Sequence, residues 1–173
     1  RGSDALEWNE NSVAEQIVAA AKAQGLWIAV AESLTGGALC QRLVLVPGAS
    51  EVLLGAVVAY QDQIKSSLLG VSRSLIANQT AVDAEVAAQM ASGVRDKFAE
   101  AQGLATSKLI GIATTGLAGP ATVSGKEPGE VFIALCSQAG TRVYQEQFTG
   151  SREEIIEATV ARALEILGED LGL

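Results

Sequence analysis

A chain of 173 residues that is 49% hydrophobic and 18% charged has the size and apolar content of one cored domain, which excludes a disordered chain and leaves no room for a second core of equal size. Histidine is absent, so Ser-His-Asp and Cys-His catalysis, imidazole zinc sites and histidine pH switches are all excluded. The net charge of −8, with no cluster of Lys and Arg, argues against a nucleic-acid partner, and Pro47, Gly48, Glu51 and Gly55 break the apolar stretches before any reaches the roughly 20 residues of a membrane span.

Arg1-Gly2-Ser3 reads as the remainder of a cleaved tag, so residues 4–173 are taken as a single domain. Val13, Ile17, Val18 and Ala21 fall at helical spacing behind Ser12, an N-cap type with Glu15 three residues on, and Gly25 ends this first helix. Leu26 to Ala31 is a short continuous apolar run, as in a strand buried on both faces. The turn Ser33-Leu34-Thr35-Gly36-Gly37 follows, then a helix to about Val44 stopped by Pro47-Gly48. Val52 to Tyr60 suits a strand, and Gln61 to Leu69 a helix closed by Gly70. The longest helical pattern runs from Asp83 to Ala101, capped by Thr80 or Asp83, with Val86, Ala87, Met90, Val94 and Phe98 on one face. Lys108 to Thr114 returns to a buried strand, and a long loop occupies residues 115–129. Val131 to Ser137 and Thr141 to Phe148 flank Gly140 as a hairpin, and Arg152 to Leu167 closes the chain as an amphipathic helix.

Helices alternating with buried strands, ending in one hairpin, predict a three-layer α/β/α sandwich with a mixed, mostly parallel sheet. Cys40 and Cys136 stand apart in apolar surroundings, which is neither a disulfide framework nor a metal spacing; they read as buried free thiols of a cytoplasmic protein. No metal or cofactor motif is present, and Ala-rich apolar helix faces make a homo-oligomer the expected assembly.

Three segments can carry chemistry. Ala31-Glu32-Ser33-Leu34-Thr35-Gly36-Gly37 gathers backbone N–H groups at a helix start, where a phosphate or an oxyanion is favoured; by pattern alone it is equally an N-cap with a glycine turn. Tyr60 and Lys65 flank a second strand-to-helix junction and can face the same sheet edge, or else be an interfacial tyrosine and a solvated lysine. Thr114-Thr115-Gly116-Leu117-Ala118-Gly119-Pro120 ends a third strand with hydroxyl donors and glycines that admit a ligand to the backbone, or is a plain loop. All three lie at ends of buried strands, and open α/β sheets build one crevice from such ends.

Together these segments resemble the CinA C-terminal domain family. The resemblance covers about Val13 to Leu167 and rests on Ala31 to Gly37, Val46-Pro47-Gly48-Ala49-Ser50, Gly55 to Tyr60 with Lys65 and Leu69-Gly70-Val71, and Thr115 to Pro120. Catalytic members of the family are nicotinamide-nucleotide amidases. The resemblance therefore implies hydrolysis of nicotinamide mononucleotide to nicotinic acid mononucleotide and ammonia, in pyridine nucleotide recycling, without cofactor. It makes Ser33 the nucleophile, with Tyr60 and Lys65 beside it as proton acceptor and donor. Thr35, Gly36, Thr115, Gly116 and Arg152 are the expected contacts to the nucleotide, the small-molecule partner. A lysine base must be partly neutral near pH 7, which requires burial and requires Glu32 and Asp62 to point elsewhere. The sequence departs from the family pattern at residues 121–129, at Asp83 where serine is usual, and at Ile156 where arginine is frequent. A non-catalytic nucleotide-binding or regulatory domain, linked to competence or DNA damage, predicts the same crevice.

Overall fold

The computed structural model describes residues 10–173; the reading of Arg1 to Ser3 as a tag remainder lies outside them. Five strands, β1 (Trp27–Glu32), β2 (Leu53–Val58), β3 (Leu109–Gly116), β4 (Glu130–Ser137) and β5 (Gly140–Gln147), form one sheet in the order β2-β1-β3-β4-β5. The first three are parallel, and the β4–β5 hairpin extends them antiparallel. Among the described residues, six α-helices cover it: α1 (Glu10–Gln24), α2 (Ala38–Val44), α3 (Asp62–Leu69), α4 (Arg73–Gln79), α5 (Ala84–Gln102) and α6 (Arg152–Asp170). This is the expected sandwich.

Side-chain alternation sorts the two faces. Ile28, Val30, Ile110, Ile112, Ile133 and Leu135 pack with α1, α2 and α6 through Ile17, Leu39, Leu43, Ile155, Leu164 and Leu167. The opposite face carries the small residues Ala29, Ala31, Ala113 and Ala134, and these meet Val86, Ala87, Met90 and Val94 of α5. Small residues there let the helix backbone lie close on the sheet: a Cβ on Gly111 would fall 2.3 Å from the Ala91 carbonyl oxygen. Gly93 serves the same purpose between helices, since a Cβ there would fall 1.9 Å from the Leu69 carbonyl oxygen at the end of α3.

Asp83 caps α5, its Oδ2 accepting from the N–H groups of Glu85 and Val86 at 2.9 and 3.2 Å. It therefore does what serine does at a cap, and this departure from the family pattern leaves the helix start intact. Two expectations are corrected. The first helix begins at Glu10, so Ser12 lies inside its first turn, with its Oγ accepting from Gln16 at 3.4 Å rather than capping. Helix α4, which the sequence pattern does not predict, is capped by Ser72, whose side chain accepts from Leu75 N–H. Among the described residues, no helix is long and apolar enough to cross a membrane.

Candidate active site

Because β1, β2 and β3 run parallel, their C-terminal ends open on one edge of the sheet, and the three segments meet there. Ser33 directly follows β1, Tyr60 lies two residues beyond β2, and Thr115 and Gly116 end β3. With Lys65 of α3 they line one cavity of about 360 Å³. Its far wall is Ile76 and Ala77 of α4 and Thr80 to Val82, and Val123 and Ser124 close it from the long loop. The segment 80–82 was not legible as part of the site; Thr115 Oγ1 donates to the Ala81 carbonyl at 2.8 Å and fixes it.

The Ser33 turn is held from both ends. Ser33 N–H donates to the Thr114 carbonyl at 3.1 Å, and Gly36 N–H to the Ser33 carbonyl at 3.2 Å. Glu32 is fully buried, and its carboxylate takes the N–H groups of Gly37 at 3.2 Å, Leu39 at 2.9 Å and Cys40 at 3.1 Å. The start of α2 thus already holds an anion, supplied by the chain, which corrects the expectation of a phosphate there. Thr35 is buried with its hydroxyl 2.8 Å from that of Thr114, and neither Thr35 nor Gly36 lines the cavity. Cys136 is buried, whereas Cys40 is only half-buried; burial first, and the Glu32 charge second, push the Cys40 thiol pKa up.

Lys65 is 1% exposed, one of the largest fully buried side chains of the protein. Its Nζ donates to the Tyr60 carbonyl at 2.9 Å, which places it beneath the tyrosine on the same junction. Burial lowers its pKa from the ordinary lysine value. Asp62 opposes that shift: its Oδ1 lies 3.9 Å from Nζ, though the carboxylate is 62% exposed and faces water. Glu32 points away toward α2 as a lysine base requires; Asp62 does not, and here the expectation is corrected. The desolvation is the larger effect.

Arg152 opens α6 and reaches back over the mouth. One guanidinium nitrogen donates to the Gly119 carbonyl at 2.6 Å and another to the Tyr60 hydroxyl at 3.1 Å. It is a rim cation that ties the long loop to Tyr60, without lining the cavity itself. Thr80 (φ 68°) and Ser124 (φ 50°), the two non-glycine residues of positive φ among those described, both line the cavity. Such backbone costs on the order of 1–3 kcal/mol and clusters at functional sites.

A larger groove of about 520 Å³ lies along α2 and the β2 edge, lined by Cys40, Val44, Val46 and Leu53 among others. Its only titratable group is the Cys40 thiol, so the smaller cavity is where the chemistry converges. Among the described residues, no group of His, Cys, Asp and Glu is arranged to hold a metal ion.

A mixed five-stranded α/β/α domain with a buried lysine and a strand-end serine in one cavity defines the class of protein. The family model for the CinA C-terminal domain matches residues 10–171, and the chain belongs to that family. A competence-damage inducible protein of Desulforamulus reducens is 44% identical over 142 residues, covering 82% of this chain and 33% of its own length. A CinA-like protein of Myxococcus xanthus is 38% identical over 149 residues, covering 85% of this chain and 34% of its own. The chain thus spans about a third of the length of these curated relatives. Among solved structures, a CinA superfamily protein from Enterobacter cloacae superposes with a TM-score of 0.87 at 27% identity, covering 99% of both chains. A competence/damage inducible protein from Agrobacterium tumefaciens does so with a TM-score of 0.83 at 29% identity, covering 95% of this chain and 96% of its own.

Proposed function

We propose that this domain is an amidohydrolase that converts nicotinamide mononucleotide to nicotinic acid mononucleotide and ammonia, with Ser33 as nucleophile and Lys65 as its base. The observation that carries the reading is the shared cavity: Ser33, Tyr60 and a lysine 1% exposed and shifted toward its neutral form line the same space. A buried amine whose pKa is lowered takes the place of imidazole as the proton acceptor, as in Ser-Lys catalysis on unrelated folds.

In this reading Ser33 Oγ adds to the carboxamide carbon as its proton passes to Lys65 Nζ. The carbonyl oxygen becomes an oxyanion. Backbone N–H groups at the strand ends beside Ser33 are its donors in this reading. Collapse of the intermediate breaks the C–N bond, and the Lys65 proton leaves with the amine as ammonia. Water then attacks the acyl ester, giving one proton to Lys65; the second collapse breaks the bond to Ser33 Oγ as Lys65 returns that proton to it, and the carboxylic acid released gives its remaining proton to solvent as the carboxylate. Tyr60 lines the cavity beside Lys65, its carbonyl accepting from Nζ and its hydroxyl accepting from Arg152. Thr115, Gly116 and the Arg152 charge are the nucleotide contacts; Thr35 and Gly36, outside the cavity lining, are not carried forward. The relatives' names speak of competence and damage induction rather than of an amidase. The deciding experiment is ammonia release from a panel of pyridine nucleotides by the wild-type protein and by Ser33→Ala. Release from the mononucleotide that is lost in the folded variant supports the reading; nucleotide binding with no release by the wild type leaves a non-catalytic binding domain.

A further inference from the structure

We infer that Glu32 is a positioning residue for this reaction: by drawing the N–H groups of Gly37, Leu39 and Cys40 onto one buried carboxylate, it holds the turn that presents Ser33. The inference rests on the amidase reading. Glu32 is the last residue of β1, locked in the sheet between Val58 of β2 and Thr114 of β3, and its carbonyl accepts from Ala59 N–H at 2.8 Å. From this fixed base its side chain reaches forward to the residues that start α2. The five residues between, 33–37, form a hoop whose near end is the strand and whose far end is the carboxylate.

The donor set calls for an anion. Oε1 receives two N–H groups, from Gly37 and Leu39, and Oε2 receives one, from Cys40. A glutamine has a single acceptor oxygen, and its amide nitrogen would face an N–H, leaving a buried donor unmet. The hoop would then open at its far end. Ser33 is held by β1 before it, by the Thr114 carbonyl and by this hoop, whereas Lys65 is held separately in α3, so slack in the turn changes the distance between nucleophile and base. A misplacement on the order of 1 Å in such a pair costs about 100-fold in rate.

The test compares ammonia release from nicotinamide mononucleotide by the wild-type chain and Glu32→Gln, together with amide hydrogen exchange of both. The expected result is faster exchange at Gly37, Leu39 and Cys40, with kcat reduced about 10- to 100-fold and KM within about twofold. A purely structural role would spare that split. Accelerated exchange with kcat unchanged overturns the inference, as does a loss shared equally by kcat and KM. Should Glu32→Gln fail to fold, Glu32→Asp keeps the charge but is one methylene short of the three donors: a reduced kcat supports the inference, and a wild-type kcat overturns it. No ammonia from the wild type would overturn the amidase reading itself, whereas turnover undiminished in the variants overturns only the role of Glu32.

Discussion

Replacing Lys65 by methionine separates the catalytic value of the lysine from its cost to the fold. Methionine is unbranched and of similar length, so it fills a site that is 1% exposed without a large cavity. Each unit by which burial lowers an amine pKa marks about 1.4 kcal/mol against the folded state at a pH where the unfolded lysine is charged. Methionine removes that cost. It also removes the hydrogen bond to the Tyr60 carbonyl, worth about 1.5–3 kcal/mol for a charged donor and at the low end here because the bond is only part-buried. The balance predicts a variant at least as stable as the wild type at pH 7, read as a Tm no lower than that of the wild type. The sign of its pH dependence follows from the lowered pKa. The cost is fully present below the folded-state value and disappears as pH rises from there toward the unfolded value of about 10.4, so the gap closes in that window. Activity moves the other way, falling about 100-fold or more with the loss of the base. Thermal unfolding of both proteins from pH 6 to 10.5, beside an ammonia assay, reads both effects. A variant less stable than the wild type by more than about 2 kcal/mol at pH 7 would show that the folded site favours the ammonium, and would refute the argument.

Asp62→Asn removes the anion that raises the Lys65 pKa, so the ascending limb of the rate profile moves to lower pH; a limb moved upward contradicts the opposition of burial and charge. The effect shrinks in high salt, because the carboxylate is 62% exposed. Gly93→Ala drives a methyl group into the Leu69 carbonyl and parts α5 from α3, at about 3 kcal/mol, lowering Tm by about 10 °C in a calorimetric scan; an unchanged Tm would contradict the close approach. Thr80 has φ 68° and ψ 169°, a region nearly restricted to glycine. Thr80→Gly relieves that strain and, after the entropy cost of glycine, raises stability by about 1 kcal/mol; chemical denaturation showing a loss would refute the strain assignment.

Much of this architecture was legible because burial writes itself into short apolar runs. Ile28 to Ala31 and Leu109 to Ala113 have no polar interruption, and each ends in hydroxyls and glycine, so both the strands and the edge where they open could be read from residue order. Helix α4 could not, since its seven residues hold only Leu75 and Ile76 as core contacts and show no periodicity to count. The wall at 80–82 has no chemical signature at all; its place comes from the Thr115 bond to Ala81 and the turn into α5. The Ser33 turn was legible as a collection of N–H groups, but which anion they serve was not: Glu32 precedes them by five to eight residues, a reach that only the fold closes. Nor does sequence order tell that Arg152 would spend its donors on Tyr60, 92 positions earlier, and on Gly119.

The most direct test follows ammonia release from nicotinamide mononucleotide across pH, in the presence of a chelator, alongside the titration of Lys65 Nζ observed by NMR in the same protein. The account predicts release that rises with pH along the same curve on which Nζ loses its proton, below the ordinary lysine range, and that vanishes in Ser33→Ala. Release that is indifferent to the Lys65 titration, or an intact wild-type protein that releases no ammonia at any pH, would contradict it.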